Sequence, residues 1–512
     1  MNLAHTLRRS AARSGDKPAL VFHGRQMTYA QLDASADAAA AGLLGLGLKP
    51  GGADRPGDRV ALLLGNEPAF CEALYGIWRA GLIGVPINPT STADEVAHML
   101  SDCGARAIVV SAALVSKLDG IQIALPALEH VLVSGTSEPL GGSTPWRQLL
   151  ELAEPDLMPA GEWSPESGGA WADTVALLQY TSGTTGRPKG AMLTHGNLLA
   201  NHEQMGATKL AVGADDVILC VLPLFHIYAL NVAMAYGLAQ GGTLLLVERF
   251  DPVTSLGLIE SGGATVIIGA PPMYVAWVNL PTIADHDLSG VRFAVSGAAP
   301  LPGEVLQRFS EGFGIPIWEG YGLTETSPVI TSSAMDDEPR LGVGRPLPQV
   351  ELRLVDDLGE PVRSGDPGEV CVRGPNVFGG YWEQPEATAE ALRDGWLRTG
   401  DIGYAWEGHL HLIDRKRDLI LVSGFNVYPR EVEDVLYRHP KIAEAAVVGA
   451  PHPYTGECVK AVVVLADGVE ATAEEIIAHC RESLARFKCP EVVEFTDELP
   501  RLPSGKILRR KL

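Results

Sequence analysis

The stretch from residue 180 to 190 is the part of the chain best equipped for chemistry; it reads Tyr-Thr-Ser-Gly-Thr-Thr-Gly-Arg-Pro-Lys-Gly. Glycine lets a backbone approach a ligand closely and adopt positive φ. Hydroxyl side chains alternate with these glycines, and two cations, Arg187 and Lys189, follow them. Hydroxyls, backbone N–H groups and positive charge together suit a polyphosphate. The alternative interpretation is a solvated Gly/Ser/Thr loop within a hairpin.

This stretch is not a Walker A loop. That pattern requires Gly-Lys followed directly by Ser or Thr, whereas Lys189 follows Pro188 and precedes Gly190. A P-loop nucleotide hydrolase is therefore a poor match to this sequence.

A second candidate segment reads Glu-Gly-Tyr-Gly-Leu-Thr-Glu from Glu319 to Glu325. The aromatic ring of Tyr321, between two glycines, can present its face to a flat base. The hydroxyl of Thr324 can donate a hydrogen bond to a phosphate, and the carboxylate of Glu325 is a hard oxygen ligand suited to Mg²⁺. A plain turn between a strand and a helix is the alternative interpretation.

Three further residues have ordinary interpretations when they are considered alone. Asp401 follows a glycine and suits a local turn cap. His226 lies in the apolar run Pro-Leu-Phe-His-Ile-Tyr and suits a core position at which the ring nitrogens are hydrogen-bonded within the protein. Lys506, near the end of the chain in Pro-Ser-Gly-Lys, suits a solvated tail.

The elements that must position these residues alternate between strand and helix. Residues 28–45 predict a helix that begins near Thr28, and residues 59–64 predict a buried strand. A helix near 68–81, a strand at 84–87, a helix near 93–102 and a strand at 107–110 follow, and strands recur at 217–222, 243–247, 265–268 and 292–295. Strands separated by helical stretches of ten or more residues predict a doubly wound α/β core.

The pattern changes in the last third of the chain. Short strands with Gly/Pro/Asp turns between residues 340 and 412 predict a small barrel or β-subdomain. The charged run 414–418 is a candidate hinge, although a solvated strand end would look the same. The remaining residues have strand and helix patterns of their own, with strands at 445–449 and 460–465 and a helix near 472–486.

Composition limits the partners. At 512 residues with 46% hydrophobic content, the chain is long enough for several domains or subdomains. A net charge of −22 argues against a nucleic-acid surface, which needs clustered cations. Seven scattered cysteines without a Cys-x-x-Cys pair favour reduced thiols, and no secretory signal or membrane span is visible. We therefore expect a cytoplasmic protein, a monomer or homodimer, with small-molecule partners.

Taken in order, these motifs resemble those of the acyl-adenylate-forming superfamily, which includes acyl-CoA synthetases, peptide-synthetase adenylation domains and luciferases. The resemblance extends from residue 18 to residue 511. It is greatest to the acyl-CoA synthetase branch, in particular to bacterial medium- and long-chain fatty-acid:CoA ligases, around Leu224-Phe-His and the run from Val247 to Pro252.

The resemblance implies a fold and a division into domains. The expected fold class is α/β: a large N-terminal domain (1–413) of two helix-flanked β-sheets plus a small β-barrel-like part (340–413). A hinge at 414–418 and a small mobile α+β C-terminal domain (419–512) would follow. Rotation would occur about Arg417, where many relatives carry Asp or Lys.

The resemblance also implies an ATP site. The phosphate loop would supply Thr181, Ser182, Gly183, Thr184 and Thr185. The adenine and the base of the acyl pocket would meet the backbone of Gly297, Ala298 and Ala299. The second motif would supply Glu319, Gly320, Tyr321 and Gly322. Asp401 would hold the ribose, Arg415 would contact the ribose or a phosphate, and Gly424 belongs to the loop that lines the pantetheine tunnel in CoA ligases.

By the same resemblance, five residues carry catalysis. Lys506 would reach the charge that develops between the carboxylate and the α-phosphate. Lys189 and Thr324 would contact the phosphates, Glu325 with Thr181 would hold Mg²⁺, and His226 would lie beside the substrate carboxylate. The expected cofactors are ATP, Mg²⁺ and coenzyme A.

The identity of the acid is predicted from three expected pocket segments, 226–234, 268–277 and 297–301, which contain no acidic, Arg or Lys side chain. Because an unpaired buried charge is costly, we expect an aliphatic or aryl-aliphatic acid. The expected acceptor is CoA, with a carrier-protein phosphopantetheine as the alternative. A regulatory protein that binds adenylates without catalysis is a further alternative, opposed by the presence of Lys189, Thr324, Glu325, Asp401 and Lys506.

Overall fold

The structure is a computed structural model that describes residues 1–52, 55–120, 125–153, 171–181, 187–340, 342–415, 418–423, 425–466, 468–501 and 507–512; for Arg415 and Arg510 it describes the backbone alone.

The strands, numbered in chain order, are β1 (Pro18–Phe22), β2 (Arg25–Thr28), β3 (Arg59–Leu63), β4 (Ile83–Pro86), β5 (Ala107–Ser111), β6 (His130–Ser134), β7 (Thr144–Pro145), β8 (Val175–Thr181), β9 (Lys189–Thr194), β10 (Val217–Cys220), β11 (Thr243–Leu246), β12 (Val266–Gly269), β13 (Phe293–Ser296), β14 (Ile317–Gly322), β15 (Val329–Ser332), β16 (Arg345–Pro346), β17 (Glu351–Val355), β18 (Gly368–Arg373), β19 (Leu392–Arg393), β20 (Trp396–Trp406), β21 (His409–Arg415), β22 (Ile420–Val422), β23 (Phe425–Val427), β24 (Ile442–His452), β25 (Gly456–Leu465) and β26 (Val492–Phe495).

The α-helices are α1 (Ala4–Ser14), α2 (Tyr29–Gly45), α3 (Pro68–Arg79), α4 (Ala93–Cys103), α5 (Trp146–Glu151), α6 (His195–Gly206), α7 (Tyr236–Gln240), α8 (Pro252–Gly262), α9 (Pro271–Val278), α10 (Gly303–Phe313), α11 (Pro385–Ala391), α12 (Pro429–Leu436) and α13 (Ala473–Ser483). A π-helix, Tyr228–Ala235, runs directly into α7, and a 3₁₀ turn, Thr324–Thr326, follows β14.

Two large sheets carry the first two thirds of the chain. One has seven strands in the order β7-β6-β5-β3-β4-β8-β9, all parallel except for the antiparallel pair β8–β9. The other has nine strands in the order β16-β15-β14-β13-β12-β10-β11-β1-β2, with a parallel centre from β14 to β1. The predicted α/β alternation is therefore confirmed.

Local sequence explains where several helices begin. Thr28 and Thr92 cap α2 and α4, and each accepts a hydrogen bond from the backbone three residues later while that residue's side chain bonds back to the cap. This reciprocal capping box satisfies two of the donors that a helix start leaves unpaired. The helix predicted from residue 28 therefore begins where the Thr-x-x-Gln pattern places it.

The two large sheets share one hydrophobic core. Leu177 of the seven-stranded sheet and Ile218 of the nine-stranded sheet are both buried in it, together with Trp78 of α3. The indole N–H of Trp78 donates to the carbonyl of Ala176 at 3.1 Å, so burial of its ring leaves no unpaired donor. This common core fixes the carboxyl ends of strands from both sheets.

The region with short strands forms a small antiparallel sheet. Its order is β17-β18-β20-β19, and β21 pairs with the long strand β20. After Asp418, the order β23-β22-β25-β24 with β26 parallel to β25 forms a further sheet, packed against α12 and α13. The predicted β-subdomain and small C-terminal α/β unit are both present.

Two general features bear on the expected environment. All seven cysteine side chains are buried free thiols. Among the described residues, no helix combines the length and apolar character needed to cross a membrane.

Candidate active site

The candidate site lies where parallel strands of the nine-stranded sheet end. The strands β10, β12, β13 and β14 run side by side in the same direction, so their carboxyl ends lie along one edge. The segments that leave this edge include the run with His226, the run from Gly297 to Leu301 and the turn with Thr324 and Glu325. The carboxyl edge of an open parallel sheet is the usual place for a ligand in α/β proteins.

Tyr321 and Asp401 meet at this edge from different sheets. The Tyr321 hydroxyl donates to Oδ2 of Asp401 at 2.7 Å. Both residues are buried, and the backbone N–H of Asp401 donates to the Thr399 hydroxyl. A base-stacking candidate from β14 and a ribose-binding candidate from β20 are thereby held against each other.

Glu319 precedes them on β14 with a buried carboxylate. Its Oε1 accepts the backbone N–H of Leu301 at 3.1 Å, and its side chain is 3% exposed. Burial raises the pKa of Glu319 to about 7. Oε2 has no hydrogen-bond partner among the described residues. Through the hydrogen bond with Leu301, Glu319 links β14 to the segment that follows β13.

The backbone around Gly297 is shaped for close approach. A Cβ on Gly297 would lie 3.0 Å from the ring of Tyr228, so an aromatic ring occupies the space that a side chain would need. Ala298 has φ of 69°, in the left-handed region that most residues avoid. A Cβ on Gly322 would lie 1.7 Å from the carbonyl oxygen of Pro328. Glycine at 297 and 322 is therefore a packing requirement.

The two ends of the predicted phosphate loop are paired. Thr181, the last residue of β8, lies opposite Lys189, the first residue of β9, in an antiparallel ladder. The strands that flank the loop therefore form a hairpin, as the alternative interpretation expected. A loop within a hairpin is also compatible with phosphate binding. Strand β8 is followed by an antiparallel strand, whereas a Walker A loop leads from a strand into a helix.

Lys189 and Glu325 are linked by a residue that the sequence analysis did not consider. The Lys189 Nζ lies 5.4 Å from the ring centroid of Tyr381, and the Tyr381 hydroxyl donates to Oε1 of Glu325 at 2.7 Å. The backbone of Glu325 also accepts the N–H of Phe378 at 2.8 Å. The sequence signal for this segment is the Gly-Gly-Tyr-Trp run that follows β18, in which two glycines mark a turn and two large aromatic side chains follow.

His226 lies beside a small, mostly apolar cavity that is too narrow to hold a water molecule. The cavity is lined by Leu222, Pro223, His226, Tyr228 and Ala298. The Nδ1 of His226 accepts the backbone N–H of Tyr228 at 3.3 Å. In addition, the side-chain amide of Gln179 on β8 donates to the carbonyl of Phe225 at 2.8 Å. This bond links the segment to the hairpin formed by β8 and β9, here called the phosphate hairpin.

The residues proposed for Mg²⁺ suit a cation that takes one or two of its oxygen ligands from the protein and the others from phosphates and water. Among the described residues, no group of three or more His, Cys, Asp or Glu side chains is placed to hold a metal by itself. Mg²⁺ usually takes one or two carboxylates and completes its octahedron with phosphates and water. Glu325, held at a fixed position by Tyr381, is the appropriate kind of single ligand.

Several predicted site residues lie outside the described residues: Ser182, Gly183, Thr184, Thr185, Arg417, Gly424 and Lys506. The backbone of Arg415 pairs with that of Asp401 across β21 and β20, so the predicted ribose contact and the predicted ribose or phosphate contact lie opposite each other in one ladder.

The candidate hinge is bordered by a charged cluster. The carboxylate of Asp414 accepts the backbone N–H of Arg430 and the Nη1 of Arg509, each at 3.1 Å. The other terminal nitrogen of Arg509 donates to both carboxylate oxygens of Glu433, at 2.7 and 2.8 Å. Arg430 also donates to the carbonyl of Leu412. Residues on both sides of the hinge are thereby joined.

The fold combines two helix-flanked sheets, a β-subdomain and a small C-terminal unit, and its candidate site lies at the carboxyl edge of a parallel sheet. These features define the class of the adenylate-forming ligases. The family model for AMP-binding enzymes matches residues 7–382, and the model for the AMP-binding enzyme C-terminal domain matches residues 431–506. The chain belongs to the AMP-binding enzyme family.

Individual relatives agree with this assignment. The chain is 38% identical to a long-chain-fatty-acid–CoA ligase of Escherichia coli O157:H7, over 100% of this chain and 94% of the relative. It is 39% identical to a feruloyl-CoA synthase of Amycolatopsis sp., over 98% and 96%. The crystal structure of the anthranilate CoA ligase AuaEII in complex with anthranoyl-AMP has a TM-score of 0.91 at 28% identity, covering 100% of this chain and 96% of the other.

Proposed function

We infer that this protein is an ATP-dependent acyl-CoA synthetase, an acid–thiol ligase that activates a mostly apolar carboxylic acid through an acyl-AMP intermediate. ATP and the acid would give acyl-AMP and pyrophosphate, and the acyl group would then pass to the thiol of coenzyme A with release of AMP. Membership in the AMP-binding family and the CoA-ligase relatives support both the activity and the cosubstrates.

One observation carries the assignment of the site to this chemistry. Lys189, at the end of the phosphate hairpin, reaches Glu325 through a single side chain, that of Tyr381. Four residues before Glu325, Tyr321 is bonded to Asp401. Candidates for phosphate, metal, base and ribose contacts are therefore all connected to the short segment at and after the end of β14, which supports the proposal that they share one nucleotide.

In the first half-reaction the substrate carboxylate attacks the α-phosphate, and negative charge increases on the reacting oxygens. Lys189 and the proposed catalytic Lys506 would offset this charge, since preorganised cations in a water-poor site stabilise it strongly. Thr324 would donate a hydrogen bond to a phosphate oxygen. Mg²⁺, when bound at Glu325, would supply Lewis-acid neutralisation of the phosphates. His226 would orient the carboxylate at the entrance of the apolar cavity.

In the second half-reaction the small C-terminal unit would turn about the 414–418 hinge, withdraw Lys506 and bring the segment around Gly424 to the site. Such hinge closure is a common way to use one site for two steps. The Arg509–Asp414 contact crosses this hinge, so its energy contributes to one of the two arrangements.

The proposed acid has an uncharged tail. The small cavity beside His226, which would have to widen to admit an acid, is otherwise lined by Leu222, Pro223, Tyr228 and Ala298, and none of its lining residues is an acid, Lys or Arg. Tyr274 and Trp277, the last large side chains of the expected pocket segment 268–277, are fully buried, and they donate hydrogen bonds to the Val295 carbonyl and the Ser255 hydroxyl. We therefore propose Tyr228, which packs on Gly297, as the side chain that limits the length of the acid.

A cytosolic location is proposed on chemical grounds. Buried free thiols at all seven cysteines suit a reducing compartment.

The test is acid-dependent exchange of labelled pyrophosphate into ATP, measured with a panel of acids. Straight-chain monocarboxylates and aryl-aliphatic acids should support exchange, whereas amino acids and dicarboxylates should not. Each active acid is then supplied with CoA or with a phosphopantetheinylated carrier protein, and the thioester is quantified. Exchange confined to amino acids or dicarboxylates would contradict the proposed acid, and loading of the carrier alone would contradict the proposed acceptor.

A further inference from the structure

Tyr381 lies where three parts of the proposed nucleotide site meet. Its ring faces the ammonium of Lys189 with 5.4 Å between Nζ and the ring centroid, and its hydroxyl is 2.7 Å from Oε1 of Glu325. Lys189 belongs to the phosphate hairpin and Glu325 to the turn after β14, 136 positions later in the chain. A single side chain therefore contacts both a proposed phosphate ligand and the proposed metal ligand.

The position of Tyr381 is fixed by contacts that do not involve either of these residues. The N–H of Met192 donates to the Gly380 carbonyl at 2.9 Å, and the N–H of Trp382 donates to the Gly190 carbonyl at 2.8 Å. The N–H of Tyr381 itself donates to the Thr388 hydroxyl at 2.9 Å. The segment that carries Tyr381 is thus paired to β9, the strand that begins with Lys189.

The ring is also packed. The centroid of the Phe378 ring lies 4.9 Å from that of Tyr381 in an edge-on arrangement, and the N–H of Phe378 donates to the backbone carbonyl of Glu325. Tyr381 therefore approaches Glu325 with its orientation already set by neighbours, as expected of a residue that orients another side chain.

We propose that Tyr381 is a positioning residue of the nucleotide site, whose hydroxyl orients the Glu325 carboxylate for Mg²⁺ and whose ring holds the Lys189 ammonium toward the phosphates. The proposal rests on the proposed function. A carboxylate has two oxygens; the phenol hydroxyl occupies Oε1 and leaves Oε2 for a cation. Groups that hydrogen-bond a metal ligand fix its orientation, and their loss typically weakens metal binding 10- to 100-fold.

The contact with Lys189 is a separate effect. A cation within about 6 Å of an aromatic centroid is attracted by the negative face of the ring. Because this attraction needs the ring and not the hydroxyl, the two contributions of Tyr381 can be separated. Tyr381→Phe removes the hydroxyl and keeps the ring, whereas Tyr381→Leu removes both.

The experiment uses the full chain and two readouts. Binding of Mn²⁺ together with α,β-methylene-ATP, which cannot form an adenylate, is followed by electron paramagnetic resonance. The Mg²⁺ dependence of pyrophosphate–ATP exchange is measured in parallel. Tyr437→Phe is the matched control, because the Tyr437 hydroxyl donates to the Ala445 carbonyl within the C-terminal unit, far from Glu325 in the chain.

The proposal expects Tyr381→Phe to weaken Mn²⁺ binding about tenfold or more and to raise the half-saturating Mg²⁺ concentration for exchange. Nucleotide affinity measured in EDTA should be unchanged in Tyr381→Phe and reduced in Tyr381→Leu. Tyr437→Phe should match the wild type in all three. Wild-type Mn²⁺ binding in Tyr381→Phe would overturn the role of the hydroxyl, and equal nucleotide affinity in Phe and Leu variants would overturn the role of the ring.

A purely structural role would also be detected, because it would lower the unfolding temperature of Tyr381→Phe without changing the metal dependence. If the wild-type protein binds Mn²⁺ and the nucleotide but shows no exchange with any acid, the proposed function fails while the comparison of the Tyr381 variants by paramagnetic resonance still decides this proposal.

Discussion

Tyr321 and Asp401, 80 positions apart, share a buried hydrogen bond of 2.7 Å that joins the end of β14 to the middle of β20. The bond fixes the Asp401 carboxylate beside an aromatic face. The base and the ribose of a nucleoside are bonded covalently to each other. Tyr321 and Asp401, the residues proposed to contact them, are correspondingly joined by a hydrogen bond.

The first prediction concerns the ribose. Asp401→Asn should raise the KM for ATP by about tenfold or more, because hydrogen bonds to a charged group contribute about 1.5–3 kcal/mol. Substitution of 2′-deoxy-ATP or 3′-deoxy-ATP should penalise the wild type and have little further effect on the variant. An equal penalty in both proteins would show that Asp401 does not contact the ribose.

The second prediction concerns Lys506. Lys506→Ala should slow acyl-AMP formation by about 100-fold or more, which is the typical cost of removing one group that stabilises transition-state charge. Thioester formation from supplied acyl-AMP and CoA should remain near the wild-type rate. Lys511→Ala, a nearby exposed lysine, serves as the control. Equal losses in both half-reactions would refute a role confined to adenylation.

The third prediction concerns Arg509. Arg509→Gln should destabilise the C-terminal unit by about 3–5 kcal/mol, because it leaves the buried carboxylate of Glu433 without its bidentate partner. All nine tryptophans lie at or before residue 406. Urea unfolding should therefore shift more when followed by far-ultraviolet circular dichroism than by tryptophan fluorescence.

The Arg509→Gln, Glu433→Gln double variant should recover part of this loss, since the unpaired charge is then absent. A shift of the same size in both signals, or strict additivity of the two substitutions, would contradict the pairing.

The fourth prediction follows from the pKa of Glu319, which burial raises to about 7. The folded state holds the proton more tightly than the unfolded state, so the contribution of Glu319 to stability is present at low pH and declines as the pH rises from about 4.3 to 7. The decline is on the order of 4 kcal/mol at most, because one pKa unit corresponds to about 1.4 kcal/mol. Glu319→Gln should flatten the dependence of the unfolding temperature on pH across this range. A wild-type and a variant curve that remain parallel would contradict it.

Much of the fold and part of the site could be predicted from the sequence. Local signals were sufficient for α2, whose Thr28 capping box is written in four consecutive residues, and for the segment 319–325, in which Tyr321 lies at the end of β14 and Glu325 in the turn that follows. Contacts that depend on distant pairing could not be predicted. Tyr381 reaches Glu325 because its segment pairs with β9, and Arg509 reaches Asp414 from 95 positions away.

If the loop between β8 and β9 binds the phosphates as proposed, the antiparallel pairing of Thr181 with Lys189 has a consequence for how pyrophosphate would be held. In a strand-to-helix loop, a row of aligned peptide dipoles contributes a fixed share of the anion affinity. Where two antiparallel strands flank the loop, no helix dipole contributes. More of the affinity for the anion then depends on individual side-chain cations, whose charge dissolved salt screens effectively. Such an attachment can be weakened one charge at a time, which suits a ligand that must be released in every catalytic cycle.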